Sequence, residues 1–451
     1  MQYSDLIRTI QEAGGWRVFF RKGTIRDIRL PSMNLTLSDQ ADLHGEQGKA
    51  RQMAMRILVR ILPVFGVQKF LDITAAHIDS SLFQGDATLE YAERLSGWGA
   101  RVVVPTTLNV SGVDEHGWKR WAVPADWAEK ARKQMVAYQS MGCEPTWTCA
   151  PYQESERPVF GQQVAWGESS AVVFVNSVLG ARTARYPDLL DICAAITGRA
   201  PAAGLHLEEN RRGQLLYQLR GMPPTLLEDD SFYGVLGHLI GMDAGTFVPV
   251  IEGLDIVPSE DNLKALGAAM ASAGAVALYH IVGVTPEALD KDTVFCGRLP
   301  LRSATITMDM LRAVRKELTT TDGDQLDMIA LGSPHFSLNE FASLSKLVEG
   351  KCKHERVEFL ITASRVVRTL ADKAGYLETI RRFGGTVTVD TCILTSPMLP
   401  DSIDVLMTNS AKYAYYAPGL LGTRVVYGSL EDCVQSAMLG RIEIDSTRWD
   451  T

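Results

Sequence analysis

What the 451-residue chain lacks narrows it first. It has no apolar run of eighteen residues, and its start carries no basic, apolar and small-residue leader pattern, so neither a membrane span nor secretion is expected and the chain reads as cytoplasmic. Positive charge is in deficit, with 45 Lys and Arg against 53 Asp and Glu and a net charge of -8. That balance excludes nucleic acid and anionic membrane as main partners, since both demand a basic face. Cysteine is sparse: seven residues, odd in number, scattered, with no C-x-x-C pair, which argues against a disulfide framework or a zinc ribbon. Any metal group must be assembled from distant loops. Small molecules and proteins remain as partners.

What is present is a chain rich enough in apolar residues, at 46%, to build two or three cored domains. In the C-terminal third, short β-branched runs alternate with helical stretches, the pattern of a parallel α/β sheet. DMIAL (327–331) leads to Gly332-Ser333-Pro334-His335, VEFLI (357–361) to Thr362-Ala363-Ser364-Arg365, TVTV (386–389) to Asp390-Thr391-Cys392, and DVLM (404–407) to Thr408-Asn409-Ser410-Ala411-Lys412. Ligands of open α/β sheets bind beyond the carboxyl ends of strands, so these loops are expected around one crevice. RVVVPTTLNV (101–110) reads as a strand entering a Thr-rich loop, and a helix opening at Glu168 is expected to run past Asn176 to Arg182 and Arg185. The expected organisation is an extension over 1–33, with an aromatic patch at Trp16, Phe19 and Phe20, then α/β regions over 34–200, 201–325 and 326–451.

Few residues stand out chemically. Cys149 and Cys392 each follow Thr in a loop, whereas Cys193 and Cys433 sit in helical surroundings, and loop thiols reach a metal where helix-buried ones pack. His77 and His335 both follow apolar runs and are candidates for acid, base or hydrogen-bond donor, or equally for histidines satisfied by backbone. Lys412 is a candidate anchor for a carboxylate or phosphate, or a solvated lysine. Glu168 at a helix start has an ordinary explanation in the helix dipole.

Whole segments are more specific. LHGEQGKARQMAMRILV (43–59), VVVPTTLNVSGVD (102–114), MGCEPTWTCAPY (141–152), AWGESSAVVFVNSVLGART (165–183), GSPHFSLNE (332–340), VDTC (389–392) and MTNSAKYAYYAPG (407–419), in that order, resemble the large subunit of the aconitase X family. The resemblance implies an aconitase-like multi-domain α/β core holding an iron–sulfur cluster, completed by a small swivelling domain that is either fused or a separate subunit; this chain is expected to lack it and to take a small swivelling-domain subunit as partner. It implies dehydration of cis-3-hydroxy-L-proline or, as in archaeal relatives, of mevalonate 5-phosphate. It makes Cys149 and Cys392 iron ligands. By resemblance and chemistry His77, Glu168, His335 and Lys412 form the catalytic set, with a serine of the swivelling domain as a further base, and Thr106, Thr107, Asn109, Asn176, Arg182, Ser333 and Ser410 the substrate-binding set. The commoner family form carries Cys where this chain has Ser333. A hydroxyl is a poor iron ligand beside a thiolate, so the change implies a smaller or differently ligated cluster, a hydroxyproline-type site, or a catalytically silent subunit.

Overall fold

The computed structural model describes residues 33–121 and 123–450, so the extension read over 1–33, with its aromatic patch, lies almost wholly outside the described residues. Three groups of short strands organise the chain. In the first, β1 (Phe70–Asp72) pairs antiparallel with β5 (Arg199–Pro201), while β2 (Ala76–Ile78), β3 (Thr106–Leu108) and β4 (Ala165–Trp166) form a parallel sheet in the order β3-β2-β4. In the second, β6 (Leu215–Leu219), β7 (Pro249–Glu252), β8 (His280–Ile281) and β9 (Arg302–Ile306) are parallel in the order β8-β7-β6-β9. The third holds β10 (Met328–Leu331), β11 (Glu358–Ala363), β12 (Thr386–Val389), β13 (Val405–Thr408) and β14 (Arg424–Tyr427), parallel in the order β12-β11-β10-β13-β14.

The apolar runs of the third sheet are continuous because both of its faces are covered. Ile329 and Leu331 of β10 join Phe336, Phe341, Phe359 and Met407 in one core, while the alternating Met328 and Ala330 join Leu360 and Leu406 in the core shared by the rest of the chain. Side chains on alternate faces of one strand thus tie the third group to the other two.

Serines in the strand-end loops start the returning helices. Ser337 with Glu340 forms a capping box on Leu338–Val348, Ser364 caps Arg365–Lys373, and Ser410 accepts from the Tyr413 N–H to cap Ala411–Leu421. These caps fix the loop conformations at the carboxyl edge of the sheet.

Two expectations need correction. The run at 101–110 is extended only over Thr106–Leu108, because Pro105 has no N–H to give a ladder and the Val102 and Val103 N–H groups go to the Met141 and Ala195 carbonyls instead. The helix opened by Glu168 stops at Ser177, and Gly180 then turns the chain in the left-handed region (φ 69°), so Arg182 and Arg185 lie beyond the helix rather than in its last turn. Among the described residues no helix is long and apolar enough to cross a membrane.

The carboxyl ends of the first and third parallel sheets face each other. Ser111 donates from its N–H to the Asp390 carbonyl, Thr148 contacts His335, and Lys412 contacts Glu168, three links between loops of the two sheets.

Candidate active site

From the first sheet, each parallel strand delivers a polar residue just past its end: Asp79 after β2, Asn109 after β3 and Glu168 after β4. The Asn109 Nδ2 donates to Asp79 Oδ1 at 2.5 Å. Glu168 caps its helix, accepting from the Ala171 N–H at 2.7 Å and the Ser170 hydroxyl at 2.5 Å. His77, fully buried within β2, has Nδ1 2.8 Å from the Thr107 hydroxyl, while its Nε2 has no hydrogen-bond partner. Burial drives the His77 pKa down to about 3, against the pull of Glu168.

From the third sheet, Gly332 lets the Ser333–His335 loop pass tightly over β11: a Cβ there would lie 2.2 Å from the Thr362 carbonyl oxygen, and φ is +94°. The His335 N–H donates to Cys149 Sγ at 3.2 Å. Its ring Nε2 lies 3.0 Å from the Thr391 carbonyl, which only accepts, so Nε2 carries the proton and Nδ1 accepts from the Thr148 hydroxyl at 3.0 Å. Burial lowers its pKa to about 4, so the ring is neutral and both nitrogens are engaged. His335 therefore pins the loops of Cys149, Ser333 and Cys392 to one another, which is a holding role rather than the proton transfer expected of it.

Lys412 crosses between the sheets and donates to Glu168 Oε1 at 2.7 Å, the two side chains being 12% and 8% exposed. Burial works against the ammonium, but Glu168 and the nearby thiols outweigh it and hold its pKa well above the ordinary value. Burial would raise the Glu168 pKa, and Lys412 overrides it, leaving the carboxylate below its usual range. Cys149 and Cys392 are both buried and both feel this ammonium, although burial still pushes the Cys149 thiol up to about 12. Ser410 donates its hydroxyl to the Ser333 carbonyl, fixing Ser333 beside the loop of Lys412.

The geometry suits an inorganic group held by two thiolates. Beside the two cysteines, the buried hydroxyls of Tyr152 and Thr391 have no partners, a costly arrangement in a dry interior unless a polar occupant completes it. Among the described residues no three His, Cys, Asp or Glu side chains are grouped to hold a metal ion by themselves.

Three expected residues are not brought here. Thr106 alternates to the other face of β3, where its hydroxyl donates to the Val104 carbonyl at 2.8 Å. Asn176 is a buried structural node binding Thr183, Ala277 and Arg211. Arg182 pairs with Glu208 at 3.4 Å, on the segment displaced by the early helix stop. Conversely Asp79 escaped the sequence reading, although its place directly after a short apolar run is the signal that also marks Glu168.

Beyond Ser333, a cavity of about 520 Å³ opens over the ends of β10 and β13, bordered by Ser333, Ser410 and Asn409. Its charged lining is Glu228, Asp230, Asp261, Glu340 and Glu431 against Lys264, Lys346 and Arg448. Lys264 is already engaged by Glu340 and Asp261.

Comparison with known proteins places these loops in context. Models of the aconitase X first, second and third domains match residues 32–209, 213–316 and 326–439. The cis-3-hydroxy-L-proline dehydratase of Hypocrea jecorina is 45% identical over 91% of this chain and 69% of its own length. That of Pseudomonas aeruginosa is 44% identical over 91% of this chain and 71% of its own. The phosphomevalonate dehydratase large subunit of Methanothermobacter thermautotrophicus is 39% identical, over 85% of this chain and 93% of its own. The crystal structure of Thermococcus kodakaraensis aconitase X in its holo-form superposes with a TM-score of 0.81 at 36% identity, covering 90% of this chain and all of that one.

Proposed function

The chain belongs to the aconitase X family, and from that premise we propose that it is a hydro-lyase that dehydrates cis-3-hydroxy-L-proline to 1-pyrroline-2-carboxylate. The observation that carries the substrate is the 44–45% identity, over 91% of the chain, to two proteins of that activity, against 31–39% for the phosphomevalonate dehydratase large subunits. The cavity beside Ser333 agrees with it. Its lining mixes carboxyl groups with Lys264, Lys346 and Arg448, a setting of both signs that suits a zwitterionic amino acid.

Cys149 and Cys392 would hold an iron–sulfur cluster, with Ser333 in the position of the commoner family cysteine, and the cluster would supply a Lewis acid for the substrate hydroxyl. Lys412, oriented by Glu168, retains ammonium protons with which to bind the substrate carboxylate. Thr107 orients the His77 ring from behind. The base that removes the proton next to the carboxylate is not among these groups. His77 and His335 are too weakly basic, and Glu168 is neutralised by Lys412. We assign that step to a small swivelling-domain partner, a reading supported by the large subunits that match this chain over 93–100% of their own length.

The test is turnover by the iron-loaded chain with its small partner under anaerobic conditions, following loss of cis-3-hydroxy-L-proline and formation of the cyclic imine. Turnover of mevalonate 5-phosphate alone would overturn the substrate assignment. No turnover of either with a cluster in place would return the chain to a silent subunit.

A further inference from the structure

Loss of water from a 3-hydroxy acid needs more than removal of a carbon-bound proton, because hydroxide leaves poorly, and beside a Lewis acid a proton given to its oxygen lets it depart as water as the carbon–oxygen bond breaks. A carboxyl group suits this task only where its surroundings keep it protonated near neutral pH. The strand ends of the first sheet hold the carboxyl groups of Asp79 and Glu168, and one ammonium, Lys412, reaches them from the helix after β13. Lys412 is spoken for by Glu168. Asp79 receives the neutral Asn109 amide instead, and its electrostatic neighbours are the carboxylates of Glu168, Asp191 and Asp188.

We propose that Asp79 is the general acid of this site, donating its proton to the departing hydroxyl oxygen of the substrate. The inference rests on the dehydration reading above and adds a residue to it. In the balanced step, a base takes the proton on C2, that electron pair forms the C2–C3 double bond, and the C3–O bond breaks with its pair going to oxygen. The oxygen takes the Asp79 proton and leaves as water, and the Asp79 carboxylate regains a proton from solvent before the next turnover. The enamine so formed tautomerises to 1-pyrroline-2-carboxylate.

Four observations support the assignment. Asp79 stands at the carboxyl end of the central strand of its sheet, between Asn109 and Glu168 from the flanking strands. It keeps part of its surface open, while His77, Ser80, Asn109 and Glu168 around it are buried. The chain is built to admit it: at Gly167 a Cβ would stand 2.7 Å from the Asp79 Cβ and 2.9 Å from Asp191 Oδ2, so only glycine allows the close approach that sets Asp79 beside Glu168. Neighbouring unpartnered atoms, His77 Nε2 and Asn109 Oδ1, call for a polar occupant at the same spot.

Burial, reinforced by Glu168 and Asp191, raises the Asp79 pKa to about 7, opposed by Asn109. The remaining titratable groups facing this space, His77 and Lys412, keep one charge state from pH 5 to 9, since one is driven well down and the other well up. An acid must be protonated to act, so kcat should fall as pH rises through about 7.

The experiment compares wild type and Asp79→Asn, both as iron-loaded holoenzyme with the small partner, on cis-3-hydroxy-L-proline and on cis-3-fluoro-L-proline, whose fluoride leaves without a proton. Asn keeps the shape, and its amide oxygen still accepts from Asn109. The expected result is a fall in kcat for water loss of about 10²–10⁴-fold, with KM changed by less than about threefold and the alkaline limb of the kcat profile gone, while fluoride release stays close to wild type. Equal loss of both eliminations would overturn the acid role and make Asp79 a base or a structural residue. Unchanged water loss with an unchanged pH profile would overturn it as well. A wild-type enzyme that releases fluoride but never dehydrates the hydroxy acid would instead sink the proposed function.

Discussion

Replacing Lys412 by methionine tests whether the ion pair between the two sheets holds the site together. The pair is short, 2.7 Å, and both partners are nearly buried, so salt and water screen it weakly. Methionine fills much of the lysine stem's volume and removes the ammonium, leaving the Glu168 carboxylate with the Ser169 and Ser170 hydroxyls and the Ala171 N–H. Breaking one side of a buried pair costs about 3–5 kcal/mol, so the unfolding midpoint should drop clearly at pH 7.5. The cost is limited by protonation of Glu168, at about 1.4 kcal/mol for each unit by which its pKa must rise. The sign with pH follows. In the wild type the Glu168 pKa is depressed, so its contribution is present above the unfolded carboxyl value of about 4.3 and is lost as pH falls through the lower folded value. The Lys412 pKa is raised, so its contribution persists until pH exceeds the ordinary lysine value and fades only through the higher folded one. The deficit of the methionine variant should therefore shrink between pH 7.5 and 5 as its orphaned Glu168 takes up a proton. Adding Glu168→Gln should restore most of the stability at pH 7.5 and none of the turnover. Urea unfolding at the two pH values, with turnover measured in parallel, decides it. Wild-type stability in the single variant, or turnover in the double one, would refute a bound, catalytically required ammonium.

Cys392→Ala should remove both turnover and the visible absorbance of anaerobically loaded protein, whereas Cys433→Ala, a small deletion inside the core of the third sheet, should cost about 1 kcal/mol of stability and leave both intact; equal behaviour of the two variants would undo the ligand assignment. Gly167→Ala forces its Cβ against Asp79 and should lower kcat at least tenfold, with an overpacking cost of about 1–3 kcal/mol in unfolding experiments; an unaltered kcat would mean Asp79 can move without consequence. Arg365 binds Asp390 and Glu115, linking the Cys392 loop to the first sheet, so Arg365→Met should loosen that loop and speed loss of visible absorbance in air; a decay rate equal to wild type would contradict the link.

The third sheet was legible because its strands are four to six residues long and bounded by polar loops and capped helices, a pattern with few alternative readings. The first sheet was not. Its parallel strands are two or three residues long, too short for any periodicity, and the segment before Thr106 makes isolated hydrogen bonds rather than a ladder. Cys149, Cys392, Glu168 and Lys412 were legible from loop context and motif strings, and all four lie at the junction. Arg182 and Asn176 were misassigned for one reason. The helix after Glu168 ends two turns earlier than its apolar composition suggests, so the following segment folds back for Thr183 to bind Asn176 and carries Arg182 toward Glu208. Asp79 was missed because its one signal, a carboxylate directly after a short apolar run, is too common to single it out until the sheet is known.

Opposed sheet edges account for the distribution of charge at the junction. A single parallel sheet presents its loops and helix N-termini at one edge, a setting that favours negative charge and tends to lower carboxyl pKa values. The third sheet presents such an edge, with Ser333, Ser410 and the helix of Lys412. Facing it, the first sheet contributes carboxyl groups, and a buried crevice between the two must settle how many carry charge. One ammonium can hold one carboxylate ionised, and Glu168 takes it. The second carboxyl, Asp79, has no ammonium: burial and the neighbouring carboxylates of Glu168 and Asp191 raise its pKa to about 7, against the pull of the Asn109 amide. Ionised and protonated carboxyl groups thus stand side by side because the one ammonium that reaches them is taken by Glu168, and a dehydration, which needs an anchored carboxylate at one end of the substrate and a proton at the other, can use both.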